Sequence, residues 1–262
     1  MKHSLPKAIL IDLSGTVHVE NTLIRGVKQA LTKLRAAGFA YKFVTNTSKE
    51  SSSALRSRLT RLGLDVPANE IFSSLSATHD YLLEKSLRPM LFLEEDAMQD
   101  FKDIDTSNPN AVVIGLAPSM FHYDKLTEAF NCLQSGAQLI GLNKSRYFQR
   151  ETGLSLGPGA FVSALEYSTD KSAKIIGKPS KTFFEKSIES LEDVALEDCV
   201  MIGDDVRDDV GGAQCIGMRG ILVQTGKYRD GDEMKVSPPP YMVLPSLVDA
   251  IDHLVSLKAT SA

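Results

Sequence analysis

The chain has 262 residues, of which 43% are hydrophobic and 24% charged, and a formal net charge of −4. These values are typical of a globular protein with one large domain or two smaller ones, and the negative charge argues against non-specific nucleic-acid binding. No run reaches the ~18 apolar residues that span a bilayer, and residues 1–7 lack the apolar core of a signal peptide. Three scattered cysteines fit a reducing compartment. We therefore expect a cytoplasmic protein with neither a membrane nor a nucleic-acid partner.

Apolar runs typical of buried strands alternate along the chain with segments of helical periodicity. The predicted strands are 8–11, 41–44, 70–72, 90–93, 111–114, 138–142, 173–176 and 199–202. The predicted helices are 27–35, a segment that begins in the serine-rich run 48–53 and ends at 62, then 77–85, 123–134, 161–167 and 247–257. Such alternation favours an α/β fold with a mostly parallel sheet and helices on its faces.

One interval is too long for a single crossover between neighbouring strands. Asn46 and Lys178 are 132 positions apart, whereas one βα unit takes ~30 residues. The interval also contains predicted strands and helices of its own. We therefore predict a discontinuous core, residues 1–83 and 172–262, with an inserted α/β domain at residues 84–171. One continuous large sheet is the alternative.

Polar side chains follow four of the predicted strands. They are carried by the motifs Asp12-Leu13-Ser14-Gly15-Thr16, Thr45-Asn46, Gly177-Lys178-Pro179 and Gly203-Asp204-Asp205. Open α/β sheets bind their ligands at the carboxyl ends of the strands. A carboxylate, a hydroxyl, an ammonium and a second carboxylate at these ends predict a site for Mg²⁺ and phosphate.

Each of these residue types has a chemical role in phosphoryl transfer. Asp12 can attack phosphorus and form an aspartyl-phosphate. Mg²⁺ prefers one or two carboxylates together with waters and phosphate oxygens, so the candidate metal ligands are Asp12, the backbone carbonyl of Ser14, and Asp204. Lys178 is the candidate cation that balances the charge of nucleophile and phosphate.

The remaining candidates concern the phosphate and the metal's outer surroundings. The hydroxyl of Thr45 and the amide of Asn46 are candidate ligands of phosphate oxygens. The residues Asp205, Asp208 and Asp209 are alternatives for an outer metal contact. Taken singly, every motif also fits a turn, a helix cap or a solvated loop. Their order after four apolar strands favours the site.

The motifs resemble those of the haloacid dehalogenase superfamily of phosphatases, and the long insertion resembles the C2 cap of its NagD-like branch. The resemblance implies a Rossmann-like core with a C2-type cap and Mg²⁺-dependent hydrolysis of a small phosphorylated compound. It also implies that Asp12 is nucleophile and metal ligand, Thr45 binds phosphate, Lys178 balances charge, Asp204 binds metal and Asp209 is the family's later acid. Cap surfaces in this branch often pair subunits, so a homodimer is a further expectation.

The chain departs from the family pattern at Ser14, where an acid usually protonates the leaving group and then activates water. Such help is worth ~10²–10⁴-fold, and a serine cannot supply it at neutral pH. We therefore include Ser14 among the catalytic positions and expect slow hydrolysis of ordinary esters, with a preference for P–N compounds or pyrophosphate. The alternatives are a catalytically weak protein that binds phosphate or a partner, and a phospho-acceptor receiver module.

Two loops of the predicted cap are candidates for contact with the substrate, at residues 143–146 and 157–159. From these loops Asn143 is assigned to substrate binding. The isolated histidines His18, His79 and His122 are expected to be structural or exposed rather than ligands.

Overall fold

The structure is a computed structural model that describes residues 5–261. Its strands are β1 Ala8–Ile11, β2 His18–Val19, β3 Thr22–Leu23, β4 Ala40–Thr45, β5 Ile71–Ser73, β6 Pro89–Phe92, β7 Ala111–Ile114, β8 Gln138–Gly141, β9 Tyr147–Arg150, β10 Gly153–Leu156, β11 Lys174–Ile175, β12 Cys199–Gly203, β13 Arg219–Val223 and β14 Met242–Leu244. Its α-helices are α1 Val27–Ala36, α2 Ser52–Arg61, α3 Ser74–Glu84, α4 Tyr123–Gln134, α5 Gly159–Thr169, α6 Lys181–Ile188, α7 Gly212–Gln214 and α8 Leu247–Ser261. Short 3₁₀ turns and a π-helical segment, Val206–Gly211, complete the described elements.

A parallel sheet of six strands forms the core, in the order β14-β13-β12-β1-β4-β5. The central strand β1 is apolar and fully buried, as expected of a strand covered on both faces. Its last residue, Ile11, pairs with Ile202 of β12 and Phe43 of β4. These three strands therefore end together, and the residues that follow them emerge at one edge of the sheet.

A second parallel sheet of four strands has the order β11-β8-β7-β6. Two separate sheets exclude the single continuous sheet, and the predicted α/β fold with an inserted α/β unit is confirmed. The second sheet includes Lys174 and Ile175, because β11 pairs with β8 rather than with a core strand. It thus extends beyond residue 171, where the sequence places the end of the insertion, and the division at 83/84 and 171/172 stays a prediction.

The two sheets share an apolar layer. Leu10 and Val44 of the core sheet belong to one buried cluster with Val113 and Ile140 of the second sheet. On the opposite face of the core sheet, Ile9 packs in a separate cluster with residues of α1 and α8. Apolar side chains therefore cover both faces of β1, and the loop that carries Asp12 begins at a fully buried strand.

Several helix boundaries differ from those predicted because serine side chains cap the helices. Ser51 accepts a hydrogen bond from the backbone N–H of Ala54 and starts α2 there. Ser73 and Ser76 cap one another's backbone at the start of α3, three residues before the predicted beginning at 77. The hairpins β2–β3 and β9–β10 were not predicted, since their short strands carry no clear apolar alternation.

Among residues 5–261, every helix is too short or too polar to cross a membrane.

Candidate active site

The four sequence motifs come together in one cavity of about 90 Å³. Asp12 follows β1, Thr45 ends β4 and Asp204 follows β12, so these three residues leave the carboxyl edge of the core sheet. Lys178 follows β11 and approaches from the second sheet instead. All four side chains are buried.

Lys178 is the central cation of the site. Its Nζ lies 2.5 Å from Asp12 Oδ1 and 2.7 Å from Asp209 Oδ1, and it donates to the backbone oxygen of Val44 at 3.0 Å. Burial lowers the pKa of Lys178, but the two carboxylates outweigh burial and leave that pKa above its usual value. The ammonium therefore stays charged, and the alternative of an exposed loop lysine is excluded.

Three buried carboxylates form a potential metal centre. Asp12, Asp204 and Asp209 each offer an oxygen, and these atoms all lie within 4.8 Å of one another. Burial is the main reason that the pKa of Asp204 rises to about 7 and that of Asp209 rises well above its usual value. Burial makes it unfavourable to ionise these carboxyl groups without a nearby cation. Several carboxylate oxygens this close together suit a small hard cation such as Mg²⁺. Of the three acids left open by the sequence, Asp209 is the one that joins Asp12 and Asp204.

Two glycines make room for the Asp204 carboxylate. A Cβ at Gly15 or at Gly226 would lie 2.1 Å from Asp204 Oδ2, and both residues have positive φ, +93° and +57°. The same oxygen accepts a hydrogen bond of 2.7 Å from the backbone N–H of Lys227. Position 15 of the first motif therefore requires glycine, because its φ is positive and a side chain would collide with the Asp204 carboxylate. The hydrogen bond from Lys227 holds this carboxylate in one orientation.

The raised pKa of Asp204 gives a prediction for the metal-free protein. Between its ordinary pKa of 3.8 and about 7, the folded protein binds more protons than the unfolded chain. The free energy of unfolding in EDTA should therefore fall as pH rises through this window, by on the order of 1 kcal/mol per pH unit. Urea unfolding at several pH values measures the slope, which Mg²⁺ and the variant Asp204→Asn should each reduce; an unchanged slope in both would contradict the assignment.

Asp205 and Asp208 have structural partners beside this centre. Asp205 Oδ1 accepts from the backbone N–H groups of Arg207 and Asp208, at 2.8 and 3.0 Å, and so caps the segment Val206–Gly211. Its other oxygen lies 2.6 Å from the Nζ of Lys227. Asp208 Oδ2 accepts from the hydroxyl of Ser145 at 2.7 Å.

Sequence reasoning gave Lys227 no role in the site. The sequence shows Gly226-Lys227 shortly after the apolar run of β13. This position points to the site only if β13 is known to lie beside β12.

Asn46 positions Lys178 through both ends of its side-chain amide. Its Nδ2 donates to the backbone oxygen of Lys178 at 2.9 Å, and its Oδ1 accepts from the backbone N–H of Lys178 at 3.0 Å. The side-chain amide of Asn46 is therefore engaged by the backbone of Lys178. The hydroxyl of Thr45, at the wall of the cavity, accepts from the backbone N–H of Thr47 at 3.1 Å.

Asn143, for which substrate binding stays a prediction, lines the cavity, and its amide makes protein contacts. Its Nδ2 donates to the backbone oxygen of Asn46 at 3.0 Å, and its Oδ1 accepts from the backbone N–H of Ser145 at 3.1 Å. This geometry favours a supporting position next to Asn46. Of the other cap residues, Gly157 and Pro158 line the cavity, while Lys144 forms an ion pair with Glu166.

Ser14 lines the same cavity and forms a β-bridge with His18. Burial, then Arg58 and Lys49, lower the pKa of His18 to about 3, so its ring is neutral. Arg58 Nη1 lies 3.3 Å from His18 Nδ1.

Part of the cavity wall is formed by the hairpin β9–β10, which the sequence did not reveal. Tyr147, Phe148 and Gln149 line the cavity. Gln149 accepts a hydrogen bond of 3.0 Å from Arg229, and the backbone N–H of Glu151 donates to Glu20 at 2.9 Å. The hairpin is thereby fastened to the core across the cavity.

Comparison with known proteins identifies the class. Two family models match the chain, one described as "Haloacid dehalogenase-like hydrolase" over residues 9–107 and one as "HAD-hyrolase-like" over residues 175–250. The chain belongs to the haloacid dehalogenase-like hydrolase family, which confirms the resemblance of its motifs, and it is a hydrolase of the phosphatase type.

Individual members of the family and one solved structure resemble the chain over nearly its whole length. The chain is 53% identical to haloacid dehalogenase-like hydrolase domain-containing protein 2 of Homo sapiens, over 95% of this chain and 96% of that protein. It is 37% identical to the phospholysine phosphohistidine inorganic pyrophosphate phosphatase of Rattus norvegicus, over 95% and 94%. Among solved structures, the p-nitrophenyl phosphatase from Archaeoglobus fulgidus superposes with a TM-score of 0.86 at 25% identity, covering 95% of this chain and 100% of that one.

Proposed function

We propose that the protein is a Mg²⁺-dependent phosphohydrolase that acts on a small phosphorylated compound through an aspartyl-phosphate on Asp12. The observation that carries the proposal is the position of the Asp12 carboxylate. One of its oxygens is held by Lys178, and Asp12, Asp204 and Asp209 each offer an oxygen within 4.8 Å of the other two. Asp12, the carbonyl of Ser14, and Asp204 are the proposed metal ligands.

The proposed reaction has two steps, which begin with attack by Asp12. Asp12 Oδ1 is paired with Lys178, so Oδ2 is the oxygen proposed to attack phosphorus. A P–O bond to Asp12 forms as the bond to the leaving group breaks, and the leaving group departs with the electron pair. Water then attacks the aspartyl-phosphate and releases orthophosphate, restoring the carboxylate.

Several neighbours support this sequence of steps. When bound, Mg²⁺ supplies positive charge between the nucleophile and the phosphate. Lys178 pairs with the Asp12 carboxylate and balances the charge of the transferred group. Thr45 Oγ1 and the backbone N–H of Asn46 are the proposed ligands of the phosphate oxygens.

Orthophosphate release tests the function directly. Purified protein with excess Mg²⁺ would be assayed on a panel of phosphate esters, phosphoramidates and pyrophosphate. Turnover of at least one class is expected, and no release from any class would overturn the proposal.

Ser14 sets the proposed substrate preference. Without an acid at this position the leaving group receives no proton, so leaving groups that depart unaided are favoured. Protonated amines and metal-bound phosphate meet this condition better than alkoxides. The 37% identical relative, named as a phospholysine phosphohistidine inorganic pyrophosphate phosphatase, supports the same P–N and pyrophosphate class.

Ser14 also favours a second candidate function, a catalytically weak protein that binds phosphate or a partner. Such a protein would bind orthophosphate at the same residues without turning over any member of the panel. The panel assay, combined with orthophosphate binding measured by calorimetry, separates the two candidates.

Ser14→Asp should accelerate the hydrolysis of alkyl phosphate esters more than that of P–N compounds. A restored acid can return part of the ~10²–10⁴-fold that such a group supplies, and poor leaving groups gain most. The measured quantity is the ratio of the two changes in kcat/KM. Ser14→Asn is the matched control, because it adds similar bulk without an acid. Equal acceleration of both classes would show that position 14 does not set the preference.

We also propose three features that the sequence predicts. They are the division into a core of residues 1–83 and 172–262 with a cap of 84–171, a cytoplasmic location, and a homodimer paired through the cap. Partners are expected to be small phosphorylated molecules rather than nucleic acid or membranes. The net charge of −4 argues against a nucleic-acid partner.

A further inference from the structure

The part of the cavity around Asp12 and Asp204 is acidic. Six carboxylates and four cationic side chains of the described residues line the cavity, an excess of two negative charges. Five of these carboxylates, Asp12, Asp204, Asp205, Asp208 and Asp209, belong to the motifs, and the cations paired with them are Lys178 and Lys227. The others are Glu20, Lys49 and Arg58. A divalent cation therefore leaves no excess of positive charge in the lining to attract a phosphate dianion.

Lys227 is built into this region by its backbone and by its side chain. Its backbone N–H donates to Asp204 and its Nζ lies 2.6 Å from Asp205, with 17% of the side chain exposed. The loop that carries it is fixed to the first motif, because the hydroxyl of Thr225 donates to the backbone oxygen of Gly15 at 2.6 Å. The ammonium therefore has a defined place beside the metal centre rather than a mobile position at the surface.

Lys178 and Lys227 form ion pairs with different carboxylates of the site. Lys178 pairs with Asp12 and Asp209, on the side of the nucleophile. Lys227 pairs with Asp205, on the side of the metal-binding Asp204. Neither ammonium can stand in for the other, because each is held by its own carboxylates.

We propose that Lys227 is the positive charge that admits the phosphate anion to the metal centre. The inference rests on the proposed function, since it assumes that Mg²⁺ and phosphate meet in this cavity. Without this charge the negative excess grows by one, so an incoming anion is repelled more strongly while a cation is attracted at least as well. The two affinities should therefore move in opposite directions, whereas collapse of the loop would weaken both.

Calorimetric titration of the full chain tests the proposal, with Mg²⁺ alone and then with orthophosphate at saturating Mg²⁺. In Lys227→Met the dissociation constant of orthophosphate should rise by about tenfold or more, and that of Mg²⁺ should not rise. Lys227→Arg, which keeps the charge, should stay within about threefold of the wild type for both ligands. A Lys227→Met protein in which both affinities fall by the same factor, or neither changes, would overturn the proposal.

A second pair of variants separates charge from structure. Asp205→Asn combined with Lys227→Met removes one charge of each sign and restores the original excess. Orthophosphate affinity should return to within about threefold of the wild type, and Asp205→Asn alone should bind orthophosphate at least as well as the wild type. If the folded double variant binds orthophosphate as weakly as Lys227→Met, the proposal is wrong. A wild-type protein that binds neither ligand would instead refute the proposed function.

Discussion

Asp12→Asn is expected to reduce turnover by more than about 10³-fold, because the neutral amide cannot act as the nucleophile in covalent catalysis. The substitution is nearly isosteric, and the backbone N–H of residue 12 can keep its 2.9 Å bond to the oxygen of Ile202. The fold should therefore persist. The measurement is kcat/KM on the best substrate of the panel, accompanied by thermal unfolding of both proteins.

The matched control for this variant is Asp252→Asn, the same chemical change at an exposed ion pair with Lys33. The control should keep the activity of the wild type. A folded Asp12→Asn protein that retained more than about a tenth of wild-type turnover would rule out Asp12 as the nucleophile, given the losses expected when a covalent nucleophile is removed.

Removal of divalent metal should reduce turnover nearly as far, by about 10²-fold or more. The carboxyl groups of Asp12 and Asp204 lie close together, and a phosphate anion can join them only with a bridging cation. Activity would be measured in excess EDTA and again after addition of Mg²⁺ beyond the chelator. EDTA already saturated with Mg²⁺ is the control for effects of the chelator itself.

Asp204→Ala adds a test of the metal's position that does not depend on activity. Calorimetry should show weaker Mg²⁺ binding, since the variant removes a carboxylate that lies in the three-acid group and is fixed by Lys227. Undiminished turnover in EDTA, or unchanged Mg²⁺ affinity in Asp204→Ala, would contradict the proposed metal centre.

The sequence predicted the parts of the site that follow apolar strands. The runs ending at Ile11, Val44 and Ile202 were recognisable as buried strands from composition alone, and parallel pairing brings their ends to one edge. Asp12, Thr45 and Asp204 could therefore be placed near one another before any coordinates were known. The family and its phosphatase class followed from the same motifs.

The partners of these residues could be predicted only in part, because they depend on strand order and on distant chain segments. Lys178 was predicted from its motif, but the sequence did not show that it follows a strand of the second sheet, β11, which pairs with β8. Lys227 required the position of β13 beside β12. The choice of Asp209 over Asp205 and Asp208 depended on the π-helical segment Val206–Gly211, whose turn no spacing rule specifies.

The hydrogen-bonded chain from Asn143 through Asn46 to Lys178 has a consequence for protein engineering. Asn143, which follows β8 of the second sheet, holds the backbone oxygen of Asn46, and the side-chain amide of Asn46 holds the backbone of Lys178. Grafting the unit that contains the second sheet from a relative would therefore also exchange a hydrogen bond that supports Lys178. In a chimera without an asparagine at position 143, we expect the contact between Lys178 and Asp12 to change together with the lining of the cavity, so the two effects need separate point variants to be told apart.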